Sequence, residues 1–388
     1  MNVVLLIKDF AIGKKFDKSG MPNQSGGERH GLNHAKELIR LGGHHVTIMA
    51  KKKYWFTKFR ELYDGCIDLV RLHGSIRWFE ILMCLVTTHR NIDAFYIIGT
   101  PKFSVWAIAY AKLTGKPVTL ALTGKAELFR KDTSFRNRLF SSCDQYIATT
   151  HEIYDGFISL GHIDRRKISI IPHGIDVHRY QYVKSVEREV AKCNVHLDSS
   201  EPVLLFCARV AKNKGILVAL DVWKKLHIKY PKATFYIVGG GENYLLDQAR
   251  QVSLECDNSI IVTGEVDYVE YYHRLADVYI FPSEHEGLPT SLLEVMSSGL
   301  PTVCSDIGGC NDLIINDRTG YRVSTTDVDS YVKYISKLFD NSLLRYELGR
   351  RASEYVKTYC SYDVVSKEME LTVTNQRKVP IDMLKVKP

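Results

Sequence analysis

The sequence predicts an α/β protein made of two doubly wound, parallel-sheet domains. Three observations carry that reading. Short apolar runs alternate with helical periods through the first half, and the same alternation restarts after residue 200. At 388 residues the chain is also too long for one ordinary core.

In order, "VVLLI" (3–7), "HVTIM" (45–49), "AFYIIG" (94–99), "PVTLALTG" (117–124) and "QYIATT" (145–150) read as buried strands of the first domain. Continuous apolar strands of this kind belong to parallel sheets covered on both faces. Helical periods lie between them, such as "GERHGLNHAKELIRLGG" and "FSVWAIAYAKLTG", each ending near glycine. "PVLLFCARV" (202–210), "TFYIVGGG" (234–241), "SIIVTGEV" (259–266), "VYIFPSE" (278–284) and "PTVCSD" (301–306) are the strands of the second domain. The boundaries expected are 1–178 for the first domain, 179–200 for a linker of weak periodicity, and 201–360 for the second. A C-terminal helix over about 361–376 is expected to pack back on the first domain. No solenoid repeat or low-complexity tract is visible.

Composition narrows the class. Apolar residues make up 45% and charged residues 25%, as in soluble globular proteins. No run reaches the roughly 18 to 20 apolar residues that a bilayer span needs. The apolar run at the start is five residues long and is followed by Lys8 and Asp9, so it reads as a first strand rather than a signal peptide. The nine cysteines (Cys66, Cys84, Cys143, Cys193, Cys207, Cys256, Cys304, Cys310 and Cys360) form no CxxC pair. Reduced core thiols of a cytoplasmic protein are expected. Charge is uneven: residues 1–180 hold 27 Lys and Arg against 16 Asp and Glu, net +11, whereas 181–388 are net −3. A basic first half suits an anionic surface or substrate.

In open α/β sheets ligands sit beyond the carboxyl ends of the strands, so those loops carry the candidate chemistry. "PSEHEGLPTSLLEVMSSGLP" (282–301) ends a strand, turns, and opens a helix. Its "SLLE" reads as a capping box from Ser291 to Glu294, and that is the plain structural explanation of Glu294. The backbone N–H groups around Leu288, Pro289, Thr290 and Ser291 nonetheless mark a positive helix terminus suited to an anion, with Gly287 keeping bulk away. "ARVAKNKG" places Arg209 and Lys214 around a polar turn. They could be solvated loop cations, or a phosphate clamp with a bidentate fork and a mobile point charge. "IVGGGENYLL" fails as GxGxxG because Tyr244 stands where glycine is needed, but Gly239 and Gly240 would allow close backbone approach. Gly26 and Gly27 open a helix in the first domain.

Together these segments resemble the retaining glycosyltransferases of family 4, which have the GT-B architecture of two Rossmann-like domains facing a central cleft. The matching stretches are 26–48, "IIPHGID" (170–176), 208–215, 237–244, 264–309 and "NDRTGYRV" (316–323), in the family's order and spacing. The E-x7-E element from Glu286 to Glu294 is the specific one. The resemblance implies that Arg209 and Lys214 bind the donor diphosphate, and that Glu286 meets the sugar and Glu294 the ribose. It also implies that Gly287 to Ser291 hold the distal phosphate or the donor sugar, and that Thr263, Gly264, Glu265 and Val266 contact the base. Gly26 and Gly27 would let a loop close over the diphosphate. No metal and no cofactor is implied, since the nucleotide sugar is a substrate, with UDP-sugar favoured over GDP- or ADP-sugar. The implied reaction transfers a hexose-type sugar, with retention, to a glycan or lipid-linked hydroxyl in cell-surface polysaccharide or lipopolysaccharide synthesis.

The chain departs from the family in two places. Where family members often carry a first-domain histidine it has "ALTGKAELF", leaving Thr123 or Lys125, and "PHGID" replaces the commoner "PNGID", giving His173 at most a hinge role. Two rival readings are a glycosidase using Glu286 and Glu294, and a nucleotide-sugar-binding protein without turnover. Glycosidase carboxylates face each other across a sugar, about 5 to 9.5 Å apart, rather than sharing one turn and helix. Nucleic-acid binding has no recognisable module to support it. His30 and His34 lack a third ligand and read as packing residues. "KKKYWFTKFR" (51–60) and "FRKDTSFRNRLF" (129–140) mix cations with aromatics, which suits a peripheral patch on an anionic inner membrane face. Glu284 has no assigned role.

Overall fold

The computed structural model describes residues 1–7, 26–50, 66–71, 85, 91–99, 104–122, 135–161 and 163–384. They divide into two compact units, Met1–Gly174 with Tyr362–Pro388, and Ile175–Ser361. The first unit contains strands β1 (Asn2–Ile7), β2 (His45–Ala50), β3 (Ile67–Arg71), β4 (Ala94–Ile98), β5 (Val118–Leu122), β6 (Gln145–Ala148) and β7 (Ile168–Ile170). Its helices are α1 (Gly26–Gly42), α2 (Ser104–Leu113), α3 (Phe135–Phe140) and α4 (His151–Ser159). The strands form one parallel sheet in the order β3-β2-β1-β4-β5-β6-β7. β3 and β7 go beyond the sequence expectation, for a simple reason: "IDLVR" has charges near both ends and "ISI" is three residues, so neither makes a run long enough to see.

The second unit runs α5 (Ser185–Cys193), β8 (Val203–Cys207), α6 (Ile216–Lys229), β9 (Thr234–Val238), α7 (Asn243–Glu255), β10 (Ile260–Gly264) and α8 (Val269–Leu275). It continues with β11 (Val278–Phe281), α9 (Thr290–Ser297), β12 (Thr302–Ser305), α10 (Gly308–Leu313), β13 (Gly320–Val323), α11 (Val328–Phe339) and α12 (Ser342–Tyr359). Its parallel sheet has the order β10-β9-β8-β11-β12-β13. After α12, α13 (Tyr362–Val373) belongs to the first unit.

Both faces of each sheet are covered, which is why the strands read as unbroken apolar runs. In the first unit Val3, Leu5 and Tyr96 pack with Ala35 and Leu38 of α1 and with Val365, Met369 and Val373 of α13. Their neighbours Val4, Leu6, Phe95 and Ile97 point the other way, onto Ala107, Ile108 and Ala111 of α2. Polar ties add to the seat of α13: Thr119 Oγ1 donates to Thr372 O at 3.1 Å, and His44 Nε2 lies 2.8 Å from Glu370 Oε1.

The stretch 179–200 is not a linker. It lies within the second unit and carries α5. The helix escapes a periodicity reading because its pattern is inverted. Val186 and Val190 are 68% and 54% exposed, while the inward face is polar, with Lys192 buried against Asp277 at 2.6 Å. Among the described residues no helix is long and apolar enough to cross a membrane.

Candidate active site

In the second sheet the chain runs from β8 outward to β9 and β10, then crosses back to pair β11 on the other side of β8. The β8–β11 boundary is therefore the topological switch point, where diverging loops leave a crevice beyond the carboxyl ends. Arg209 follows β8, and Glu286 follows β11.

Three elements build this corner. After β8 the chain makes a single 3-10 turn, Lys212–Lys214, closed by Gly215 at φ 73°. A Cβ on Gly215 would lie 1.8 Å from Pro282 O, so only glycine brings the α6 start against the loop after β11. That contact is tied further, since Glu284 N donates to Asn213 O at 3.0 Å and Ser283 Oγ to the same oxygen at 3.1 Å. The result brings Lys214 Nζ to 2.5 Å from Glu286 Oε1. Ser283 Oγ, fully buried, also lies 2.8 Å from Glu286 Oε1, so its single proton is shared between that oxygen and Asn213 O. One carboxylate oxygen is thus held from two sides. Arg209, in the loop after β8, is exposed and has no hydrogen-bond or ion-pair partner among the described residues. A fixed carboxylate, a lysine paired to it and a free guanidinium can together grip a ligand that carries both hydroxyls and negative charge.

Helix α9 opens beside them, but not as a capping box. Its N-cap is Pro289, and no side chain caps it. Ser291 is the second helical residue, and its Oγ accepts from Tyr279 OH at 3.4 Å instead of closing the cap. Proline at the preceding position fixes the backbone and shifts the helix start one residue before the serine that the sequence pattern selects. The positive helix terminus is left uncapped by side chains, next to exposed Gly287 and above buried Leu288 and Pro289. Glu294 is buried at 8% exposure. Its charge reaches Cys207, whose thiol is pushed up first by burial and then by this carboxylate. It reaches Arg179 as well: burial pulls that guanidinium down, but Tyr180, Glu270 and Glu294 outweigh the loss and raise it. Arg179 Nη2 sits 3.2 Å from Glu270 Oε2.

The two neighbouring strand ends complete the row. Gly239, after β9, has φ 139°, and a Cβ there would lie 2.1 Å from Ala208 O. Gly239 N donates to Gly264 O at 2.9 Å, and Val210 N to Gly240 O at 2.9 Å, so the ends of β8, β9 and β10 are laced together. Gly240 faces Glu265, and Thr263 Oγ1 donates to Gly264 O at 2.9 Å, with Val266 following at the rim. Gly26 and Gly27 belong to the first unit, at the start of α1. Thr123, Lys125 and residues 51–60 lie outside the described residues, as does 129–134 of the second basic-aromatic stretch.

Sequence reasoning missed Ser283, although its place beside a proline at a strand end was visible. Cys304 and Cys310, which the sequence reads as incidental, are both buried free thiols, and Cys310 is pushed well up by a side-chain hydrogen bond with Cys304, then by burial, with Glu286 and Lys214 close enough to contribute. Among the described residues no three His, Cys, Asp or Glu side chains stand together as a metal site.

Comparison with known proteins covers both units. The family model described as glycosyl transferases group 1 matches residues 187–357, and the one described as Glycosyltransferase Family 4 matches residues 24–179. The chain is similar to mannosylfructose-phosphate synthase of Agrobacterium fabrum, 26% identical over 274 residues, covering 66% of this chain and 60% of that protein. It is also 26% identical over 349 residues to the N,N'-diacetylbacillosaminyl-diphospho-undecaprenol alpha-1,3-N-acetylgalactosaminyltransferase of Campylobacter jejuni, covering 84% of this chain and 90% of that one. The chain thus spans less than two thirds of the first relative's length. Among solved structures, Anabaena HepE in complex with UDP superposes with a TM-score of 0.79 at 14% identity, covering 97% of this chain and all of that one. At that identity the match speaks to the fold.

Proposed function

The chain belongs to the GT-B glycosyltransferases of family 4, and from that premise we propose that it moves a hexose-type sugar from a UDP-sugar to a hydroxyl of a glycan or lipid-linked acceptor, with retention and without a metal ion. The observation that carries the proposal is the switch-point corner, where Glu286 after β11 is held by Lys214 and Ser283 and exposed Arg209 follows the neighbouring strand β8. Support for the donor and acceptor classes comes from similar proteins, one solved in complex with UDP and one a transferase onto an undecaprenol-linked acceptor.

In this reading the donor diphosphate takes Lys214 away from Glu286 and engages the Arg209 fork and the α9 terminus. Glu286, still held by Ser283, turns its freed valence to the sugar hydroxyls, and buried Glu294 serves the ribose. The bond from the anomeric carbon to the diphosphate oxygen breaks, and the acceptor oxygen bonds to that carbon on the same face. The acceptor proton passes to the departing phosphate. Negative charge grows on the leaving group, where two cations and a helix terminus oppose it, the work a divalent ion does elsewhere. Gly239, Gly240 and the segment from Thr263 to Val266 leave room for the base.

Thermal-shift measurement with UDP-, GDP- and ADP-sugars, followed by transfer to lipid-linked and free glycan acceptors, tests the proposal. Stabilisation by a UDP-sugar and a product of unchanged anomeric configuration are expected. Donor binding with no transfer to any acceptor, or release of sugar from oligosaccharide without nucleotide, would overturn it. The basic-aromatic stretches at 51–60 and 129–140 support a peripheral role at the inner membrane face, where each cation near the surface contributes about 1 kcal/mol. Salt-sensitive pelleting with anionic vesicles is the expected sign, and unchanged pelleting after Lys51, Lys52 and Lys53 all become Glu would sink it.

A further inference from the structure

At the other end of the second sheet, the amino ends of β11 and β12 meet the first turns of α5 and α12 around a cavity of about 100 Å³. Its wall carries three cations, Arg188, Lys192 and Arg345, against two carboxylates, Asp277 and Glu189. These groups are not equally engaged. Lys192 uses all three of its protons, on Asp277 Oδ2 at 2.6 Å, Glu201 O at 2.8 Å and Ser199 O at 3.2 Å. The same Asp277 oxygen accepts from Val203 N at 2.8 Å, so that carboxylate is largely committed to Lys192 and the β8 backbone. Glu189 is exposed.

The two guanidiniums are left over. Arg188 donates through Nη1 to the carbonyls of His273 and Ala276, and Arg345 donates through Nη1 to those of Leu338 and Phe339. Each thus closes the end of a helix with one nitrogen. Nη2 of both arginines, and Nε of Arg188, have no hydrogen-bond partner among the described residues. The nearest carboxylate oxygen to Arg345 is 3.9 Å from its Nε, too long for a hydrogen bond. Burial lowers the Arg188 guanidinium; Asp277 opposes that shift and the like charge of Arg345 adds to it. Two like charges therefore face a space also lined by Tyr182, Ser342 and Tyr346.

We propose that this cavity binds a small tetrahedral oxyanion of the phosphate class, held between the free edges of Arg188 and Arg345. A dianion would neutralise both guanidiniums and accept from forks that approach from two sides. The cavity is well below the roughly 300 to 1,000 Å³ of pockets that enclose whole drug-sized ligands, which matches a phosphate group and not a wholly enclosed nucleotide. The site is separate from the donor corner, since Asp277 precedes β11 and Glu286 follows it.

The test uses the full chain carrying Arg209→Ala and Lys214→Ala, so that the donor corner no longer competes for phosphate. Inorganic phosphate, against chloride at matched ionic strength, is expected to raise the unfolding midpoint saturably. Ser342→Asp puts a carboxylate on the cavity wall at the first residue of α12, where an acidic side chain suits the helix terminus. The variant should fold with an equal or higher midpoint and bind phosphate at least tenfold more weakly. Ser185→Asp, at the first residue of α5, reads the same loss independently. No phosphate-dependent shift, or a shift that both substitutions leave intact, would overturn the proposal.

Discussion

The two units share one design, a parallel sheet whose middle strands part at a switch point, and their described polar residues stand in different settings. In the second unit the strand ends at the switch point carry charge in reach of solvent, with Lys214 on Glu286 and Arg209 unpaired among the described residues. In the first unit the described groups Tyr96, His34 and His173 are held neutral by burial. Tyr96 of β4 bonds His34 of α1 at 2.9 Å, and burial lowers His34 to about 4. His173 falls to about 3, mainly through burial and then through His34. Among the described residues, the charged groups that follow β8 and β11 stand where a ligand can reach them, whereas Tyr96 and His34 bond each other inside the first unit.

The largest expected effect that would break this contrast is catalytic. Glu286→Ala and Lys214→Ala should each lower kcat by about 10²- to 10³-fold, the usual cost of losing an electrostatic contact in the transition state. The unfolding midpoint should stay near wild type, and near-normal transfer by both variants would refute the assignment. Gly215→Ala comes next. It forces an L residue to φ 73° with a Cβ 1.8 Å from Pro282 O, so a loss of more than about 1 kcal/mol in urea unfolding is expected, with activity falling alongside. Ser283→Ala removes one hydrogen bond to a charged group, a change of about 1.5 to 3 kcal/mol, so kcat should fall about tenfold or more. If only KM moves, Ser283 does not orient Glu286.

The smallest effect sharpens the neutral side of the comparison. His34 and His173, and likewise His273 in the second unit, are held by burial to about 4, 3 and 3. Below pH 6.5 the unfolded chain takes up protons on these residues that the folded chain does not. Stability should therefore decline as pH falls from about 6.5 toward 4, and be flat above it. A midpoint that rises on acidification through that range would contradict the buried, neutral state.

Much of this was legible in advance, and the misses have causes. Continuous apolar runs marked ten of the thirteen strands among the described residues, and the escaping ones, β3, β7 and β13, are short or broken by charged or polar residues. Helix α5 was hidden because its buried face is the charged one. The "SLLE" pattern suggested a cap that Pro289 pre-empts, since a local rule cannot know where the turn before it releases the chain.

The sequence by itself determined the α/β class, the doubling of the sheet, and which loops carry carboxylates, cations and glycines. Periodicity and strand-end composition are local properties, written residue by residue. Only the tertiary structure decided that Lys214 meets Glu286, that Ser283 holds the same oxygen, and that Arg188 and Arg345 share a cavity. Those pairs lie 72, 3 and 157 positions apart. The first and last are joined by strand order and helix packing, which no window along the chain contains. Ser283 is near Glu286 in sequence, but its burial and its aim are set by the Asn213 turn against which it packs.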